Sequence, residues 1–240
     1  MAIKCLIFDL DDTLVDDTEN HRGAYKHITK VLNKPFTEVD FQKWFEFDSY
    51  YWHDYFKSLI IPDEYKNNGD TASDYLRGMR FTTYFKEELP YDPIEMQEFF
   101  KEGLTHRIIA LPHAVEAIRD LSSHYPIFIS TNGDSTIAKE KTTRIGIEEY
   151  IKGIFSADMT NPPASKSDLD YYRQLMAFIK DFQIDECLMT GDKYRDDVLM
   201  PNKAGMKTCW LHKGKEENLV CDYQVENLKE LKKILLKREH

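Results

Sequence analysis

The sequence predicts an α/β fold in which a parallel sheet with helices on both faces is interrupted, close to its start, by an all-helical insertion. Three observations lead there. From about residue 110 onward, short apolar runs alternate with helix-length amphipathic stretches, the pattern of repeated strand and crossover units. A run of the same strand character, Ile3 to Phe8, stands alone at the other end of the chain. Between the two, residues 15–109 show only helical periodicity. The expected organisation is therefore a core built from residues 1–14 and 110–240, with a helical unit inserted at 15–109.

Taken in order, Ile3 to Phe8 reads as a short buried strand that ends in a crowd of acids, Asp9, Asp11, Asp12 and Asp16. Carboxylates this close repel one another and are costly to hold together without a cation or a task. If the strand stays extended, its period of two puts Asp9 and Asp11 on one side; an acidic turn is the plainer alternative. Thr18 to Asn33 carries His21, Ala24, Tyr25, Ile28, Val31 and Leu32 on one helical face, and Pro35 ends it. Thr37 and Asp40 stand in capping-box positions for a second helix, whose stripe is Phe41, Trp44, Phe45, Asp48, Tyr51, Trp52, Tyr55, Phe56 and Leu59. Pro62 to Asp70, with Asn67-Asn68-Gly69, reads as a loop, and helices follow over Thr71 to Leu89 and Pro93 to Thr105. In the second segment Pro112 opens a helix that runs to Ser122, and Pro126 to Ser130 is a strand leading into Thr131-Asn132-Gly133-Asp134. Alternation then predicts helix Ser135 to Arg144, strand Gly153 to Ser156, helix Asp168 to Phe182, strand Glu186 to Thr190, helix Asp196 to Ala204, strand Lys207 to Leu211 and a terminal helix from Val225.

Composition narrows the function. A net charge of −10 argues against nucleic acid, whose binding needs a basic face to displace phosphate counterions, so any phosphate must be held locally by a metal ion or a few placed cations. No apolar run is long enough to span a bilayer, and the start of the chain turns acidic too early for a signal peptide, so no membrane association is expected. Cys5, Cys187 and Cys209 sit in apolar strand-like runs and Cys221 stands apart, with no C-x-x-C pair. A reducing, cytoplasmic setting is the simpler expectation.

In an open parallel sheet ligands bind at the carboxyl ends of the strands. Here the first strand ends in Asp9, Asp11 and Thr13, the second in Ser130-Thr131-Asn132-Gly133, and the fourth in Thr190-Gly191-Asp192 with Asp196 and Asp197 beyond. A purely structural sheet would not require polar ends on three strands.

In these residues the chain resembles the haloacid dehalogenase superfamily of aspartate-nucleophile hydrolases. Asp9-Leu10-Asp11-Asp12-Thr13 is similar to the family's first motif, Thr131 to its second, Lys166 to the third-motif lysine, and Gly191-Asp192 with Asp197 to the fourth. Asp12 stands where many members have Gly, and Ser167, where Pro is usual, follows the lysine. Spacing favours Asp197 as the fourth-motif acid, with Asp196 beside it as the alternative. The resemblance implies a Rossmann-like core and a C1-type helical cap for the insertion. It also implies Mg²⁺ as cofactor, bound by Asp9, the Asp11 backbone carbonyl and Asp192, with Asp197 or Asp196 behind them. Asp9 is then the nucleophile, Asp11 the acid and base, and Thr131, Asn132 and Lys166 the phosphate-binding groups.

A carboxylate attacking a phosphate ester meets two ionised oxygens, so a dication and a lysine are what the chemistry needs. The expected activity is a Mg²⁺-dependent phosphatase acting on a small phosphate ester; Ser130-Thr131-Asn132-Gly133, and Thr208-Cys209-Trp210-Leu211 after Gly205, resemble the 5′-nucleotidase-like branch of C1-capped members, which implies a nucleoside monophosphate first and a sugar phosphate second. A phosphomutase shares both aspartates and is the enzymatic alternative; a non-catalytic binding or regulatory protein is the other. A dehalogenase would not need Asp11. The insertion offers His21 and Asp48 as groups that could read the leaving group, although a packed histidine and a carboxylate bonded to a buried partner are the plainer accounts of both.

Overall fold

The structure, a computed structural model, describes residues 2–52, 58–66, 69–214 and 219–237. Tyr55 and Phe56 of the aromatic stripe, and Asn67 and Asn68 of the expected loop, lie outside the described residues. In chain order the elements are β1 (Cys5–Phe8), α1 (Asp17–Val31), α2 (Glu38–Tyr50), α3 (Asp63–Lys66), α4 (Gly69–Phe85), α5 (Pro93–Leu104), α6 (Ala114–Ser122), β2 (Ile127–Thr131), α7 (Ser135–Arg144), β3 (Gly153–Ser156) and α8 (Leu169–Ile179). They continue with β4 (Cys187–Gly191), a π-wound turn (Tyr194–Leu199) that runs into α9 (Met200–Ala204), β5 (Lys207–Leu211), β6 (Tyr223–Val225) and α10 (Leu228–Leu236). Two compact units result: Met1–Asp17 with Ile108–His240, and Thr18–Arg107.

The first unit is a six-stranded sheet in the order β3-β2-β1-β4-β5-β6, with every pair parallel. The chain winds one way from β1 to β3 and the other way from β4 to β6, so strand order reverses between β1 and β4. All four residues of β1 are buried, because both faces of the central strand are covered. Leu6 and Phe8 pack with Ile118 and Leu121 of α6 and Leu231 and Leu235 of α10. Cys5 and Ile7 pack on the opposite face with Tyr171, Tyr172, Leu175 and Ile179 of α8. That split follows directly from the strand period of two.

Three expectations need correction here. Val225 does not open the terminal helix: it closes β6, a three-residue edge strand, and α10 begins at Leu228 under an Asn227 cap. Asp196 to Ala204 is not one helix but a π-wound turn, Tyr194–Leu199, followed by α9; at the junction the Met200 N–H bonds the Arg195 carbonyl five residues back. The stretch expected to be loop holds α3, and α4 already starts at Gly69.

Among the described residues every regular element of the second unit is a helix, and aromatic packing holds them together. Trp44 of α2 stacks on Tyr25 of α1 at 5.0 Å between ring centroids, and on Phe81 of α4 at 6.1 Å with an interplanar angle of 4°. The Thr37 hydroxyl accepts the Asp40 N–H at 3.1 Å and caps α2, a contact typically worth about 1 kcal/mol. The Asp40 carboxylate accepts from that same hydroxyl at 2.6 Å, where a full capping box would turn back to the Thr37 backbone. Helices α4 and α5 touch closely at Gly78, where a Cβ would fall 1.6 Å from the Pro93 carbonyl oxygen.

Candidate active site

Asp9 leaves β1 with the parity of Cys5 and Ile7, so it heads for the α8 face. Its N–H continues the ladder to the Thr190 carbonyl at 2.9 Å, which sets it beside the end of β4 at the point where strand order reverses. There its carboxylate accepts from Lys166 Nζ at 2.6 Å, and the same ammonium lies 2.5 Å from Asp197. All three residues are buried. Burial works against the lysine's charge, but Asp197 and Asp9 outweigh it and hold the ammonium well above its ordinary value.

Lys166 is delivered by a loop that ties itself in place. The Thr160 hydroxyl accepts the Ala164 N–H at 2.8 Å, Asp168 accepts the Ser165 N–H at 3.0 Å, and the Lys166 N–H reaches across to the Asn132 side-chain oxygen at 2.8 Å. The other end of that amide donates to Asp196 at 3.2 Å. Asn132, expected among the phosphate-binding groups, thus links the end of β2 to the Lys166 loop and to the π-wound turn. Thr131 closes β2, and its hydroxyl accepts the Gly133 N–H at 3.0 Å.

Asp11 does not share the extended strand with Asp9. β1 stops at Phe8, and the Leu10 carbonyl accepts from Leu14 N–H at 2.8 Å and from Val15 N–H at 3.0 Å, which winds the chain into a tight turn. Asp12 takes φ of 58° within it, the left-handed region that glycine enters freely and aspartate tolerates. The turn carries Asp11 to a different lysine: Lys141 Nζ lies 2.5 Å from Asp11 Oδ1 and 3.7 Å from Asp17. Burial opposes the Lys141 charge, yet Asp11 and Asp17 together keep it above the usual lysine value. Sequence reasoning missed Lys141. The one available signal was its spacing, three residues after Ala138 on a helix face where Ala138, Lys141 and Thr142 are all buried.

The acids after β4 divide by role. Asp192 accepts from the Thr13 hydroxyl at 3.3 Å, and its carbonyl is held by the Trp210 indole N–H at 2.8 Å. Asp197 is fully buried, its N–H on the Lys193 carbonyl at 2.8 Å and its carboxylate on the Lys193 N–H at 3.0 Å. Asp196 turns instead to Asn132, and its carbonyl accepts from Tyr172. Gly191 makes room for Asp197: a Cβ there would sit 2.3 Å from the Asp197 carboxylate carbon.

Asp9, Asp192 and Asp197 each present a carboxylate oxygen within 4.8 Å of the others. Burial pushes Asp192 up to about 6, with the Asp197 charge adding to the rise. Burial also raises the Asp9 carboxyl well above its ordinary range, against the pull of Lys166 and with Asp197 adding to it. An all-oxygen donor set whose acids resist full ionisation fits a hard dication such as Mg²⁺, which would relieve the excess of negative charge.

The two candidates in the helical unit are placed otherwise. His21 lies against rings, 5.6 Å from Phe45, 5.6 Å from Phe100 and 6.1 Å from Trp44. Asp48 is buried and accepts from Arg80 Nη1 at 2.8 Å, while Nη2 of the same guanidinium donates to Gln97 at 3.2 Å and its Cζ sits 4.1 Å over the Phe100 ring. One charge pair therefore joins α2, α4 and α5. Asp48→Ala would leave Arg80 charged and unpaired among aromatic rings, and chemical denaturation should show a loss of about 3–5 kcal/mol. A loss below about 1 kcal/mol would mean that the pair contributes no more than an exposed one.

Comparison with known proteins gives a consistent picture. The family described as haloacid dehalogenase-like hydrolase matches residues 3–205. The pyrimidine 5′-nucleotidase YjjG of Escherichia coli is 26% identical over 236 residues, 97% of each chain. A glyceraldehyde 3-phosphate phosphatase of Pyrococcus abyssi is 26% identical over 89% of this chain and 83% of its own. Among solved structures, YfnB of Bacillus subtilis, crystallised with magnesium, superposes with a TM-score of 0.81 at 22% identity, covering 98% of this chain and 99% of that one. A 2-haloacid dehalogenase of Pseudomonas syringae superposes with a TM-score of 0.64 at 20% identity, covering 99% of this chain and all of that one.

Proposed function

The chain belongs to the haloacid dehalogenase-like hydrolases, and from that premise we propose that it is a phosphatase that cleaves small phosphate esters through an aspartyl-phosphate on Asp9. The observation that carries the reading is the buried chain of charges Asp9–Lys166–Asp197, set at the reversal of strand order. An Asp9 carboxylate oxygen forms the bond to phosphorus as the bond to the leaving oxygen breaks. Asp11 gives that oxygen its proton, then takes a proton from the water that attacks the aspartyl-phosphate, returning Asp9 and releasing inorganic phosphate. Lys166, held from behind by Asp197, offers positive charge to the phosphoryl oxygens without moving. Thr131, at the end of β2, offers a hydroxyl to the same group. Lys141 fixes Asp11 through one oxygen, Oδ1, and leaves Oδ2 on the Gly133 side for proton traffic. Asp9 and Asp192 would hold Mg²⁺, with Asp197 behind them, and the bound ion would supply the charge that lets a carboxylate approach an anionic phosphoryl group.

Asp11 separates this reading from dehalogenation, in which the leaving halide needs no proton. The named relatives support a nucleoside monophosphate as substrate, pyrimidine first, and a triose phosphate second. The test is phosphate release from UMP, dTMP, AMP, glyceraldehyde 3-phosphate and p-nitrophenyl phosphate, with Mg²⁺ and with EDTA. Turnover should require Mg²⁺ and kcat/KM should be highest for the pyrimidine nucleotides. Metal-independent turnover, or no turnover of any ester, would overturn the proposal.

A further inference from the structure

We propose that His27, Glu102 and His106 form a second metal site, within the helical unit, that takes a divalent transition metal of the Zn²⁺ class. The site does not depend on the phosphatase reading. His27 lies on α1; Glu102 and His106, four residues apart, come from the last turn of α5 and the residues just after it. Glu102 faces both imidazoles: one carboxylate oxygen is 3.5 Å from His27 Nε2 and the other is 3.9 Å from His106 Nε2. Each of the three residues offers one ligand atom within 4.8 Å of the other two. A tetrahedral zinc ion with bonds of about 2.05 Å separates its ligands by about 3.3 Å, so the cluster closes around an ion with side-chain movements of roughly an ångström or less.

A second observation points to a ligand. His27 Nε2 is a buried nitrogen, and the Glu102 oxygen 3.5 Å from it lacks the geometry of a hydrogen bond. Buried polar atoms of this kind call for an explanation, and a missing metal bond is one. Two imidazoles and one carboxylate make a borderline donor set that suits zinc and disfavours Mg²⁺, which the all-oxygen cluster suits.

The fourth position has somewhere to open. His27 and His106 line a cavity of about 390 Å³ whose walls also carry Arg22, Lys26, Lys30 and Arg107. Arg22 and Arg107 are already paired to Glu19, and Arg22 also to Glu38. Lys26 and Lys30 oppose a bare dication and favour an anion over water as its fourth ligand.

The experiment is Zn²⁺ titration of the full chain by calorimetry in excess Mg²⁺, added to compete for the oxygen cluster, with Co²⁺ as a spectroscopic stand-in. One equivalent of Zn²⁺ should bind, and Co²⁺ should give the intense visible bands of a tetrahedral site with nitrogen ligands. His106→Ala and Glu102→Gln change exposed side chains and should fold normally; each should weaken zinc binding at least tenfold. No zinc uptake by the parent chain would overturn the proposal, and so would unchanged uptake in both variants.

Discussion

Asp9→Asn should reduce phosphate release from every ester to background, a loss on the order of 10⁴ or more. The amide oxygen is a poor nucleophile, and the substitution also removes one of the two carboxylates that would hold the metal directly. The protein should nevertheless fold. Asn matches the volume of Asp, and Lys166 keeps Asp197 at 2.5 Å, so no buried ammonium is left without a counter-charge. Phosphate release is measured alongside a thermal melt. Substantial turnover in a folded Asp9→Asn protein would rule out the covalent route.

Asp11→Asn should slow turnover by about 10² to 10⁴ while leaving Mg²⁺ affinity unchanged. The loss follows from removing the group proposed to move the proton in both half-reactions. Affinity is spared because the Asp11 carboxylate faces Lys141 and lies outside the cluster of Asp9, Asp192 and Asp197. Lys141 would retain Asp17, 3.7 Å away, so the turn should persist. Titration of Mg²⁺ by calorimetry, paired with kcat, separates the two effects. A collapse of Mg²⁺ affinity in the folded variant would assign Asp11 to the metal and not to the proton.

What the sequence disclosed was whatever local pattern encodes. Strand β1 is a run of buried apolar residues and its end is marked by acids, so the sheet and the position of Asp9 and Asp192 could be read directly. Contacts between distant residues could not. Asp48 and Arg80 are 32 residues apart on different helices, and nothing in either stretch names the other. Lys141 lies 130 residues from Asp11 and looks like any helical lysine until its face is known to be buried. β6 escaped because three residues at a sheet edge, two of them only partly buried, leave too short a pattern to tell from a loop. The extended path through Asp11 failed because a left-handed residue, Asp12, turns the chain there.

The bond from Lys166 to Asp197 has a consequence for the reaction cycle. In the proposed cycle Asp9 gives up its carboxylate charge each time it becomes an acyl phosphate, and a lysine paired with that carboxylate alone would lose this partner once per turnover, then have to find it again. Asp197, fully buried and fixed by two bonds to the backbone of Lys193, takes no phosphoryl group in that cycle. The ammonium would therefore stay moored to a permanent anchor and keep its station while Asp9 alternates between carboxylate and acyl phosphate. The two half-reactions can share one rigid donor, with no rearrangement needed between them.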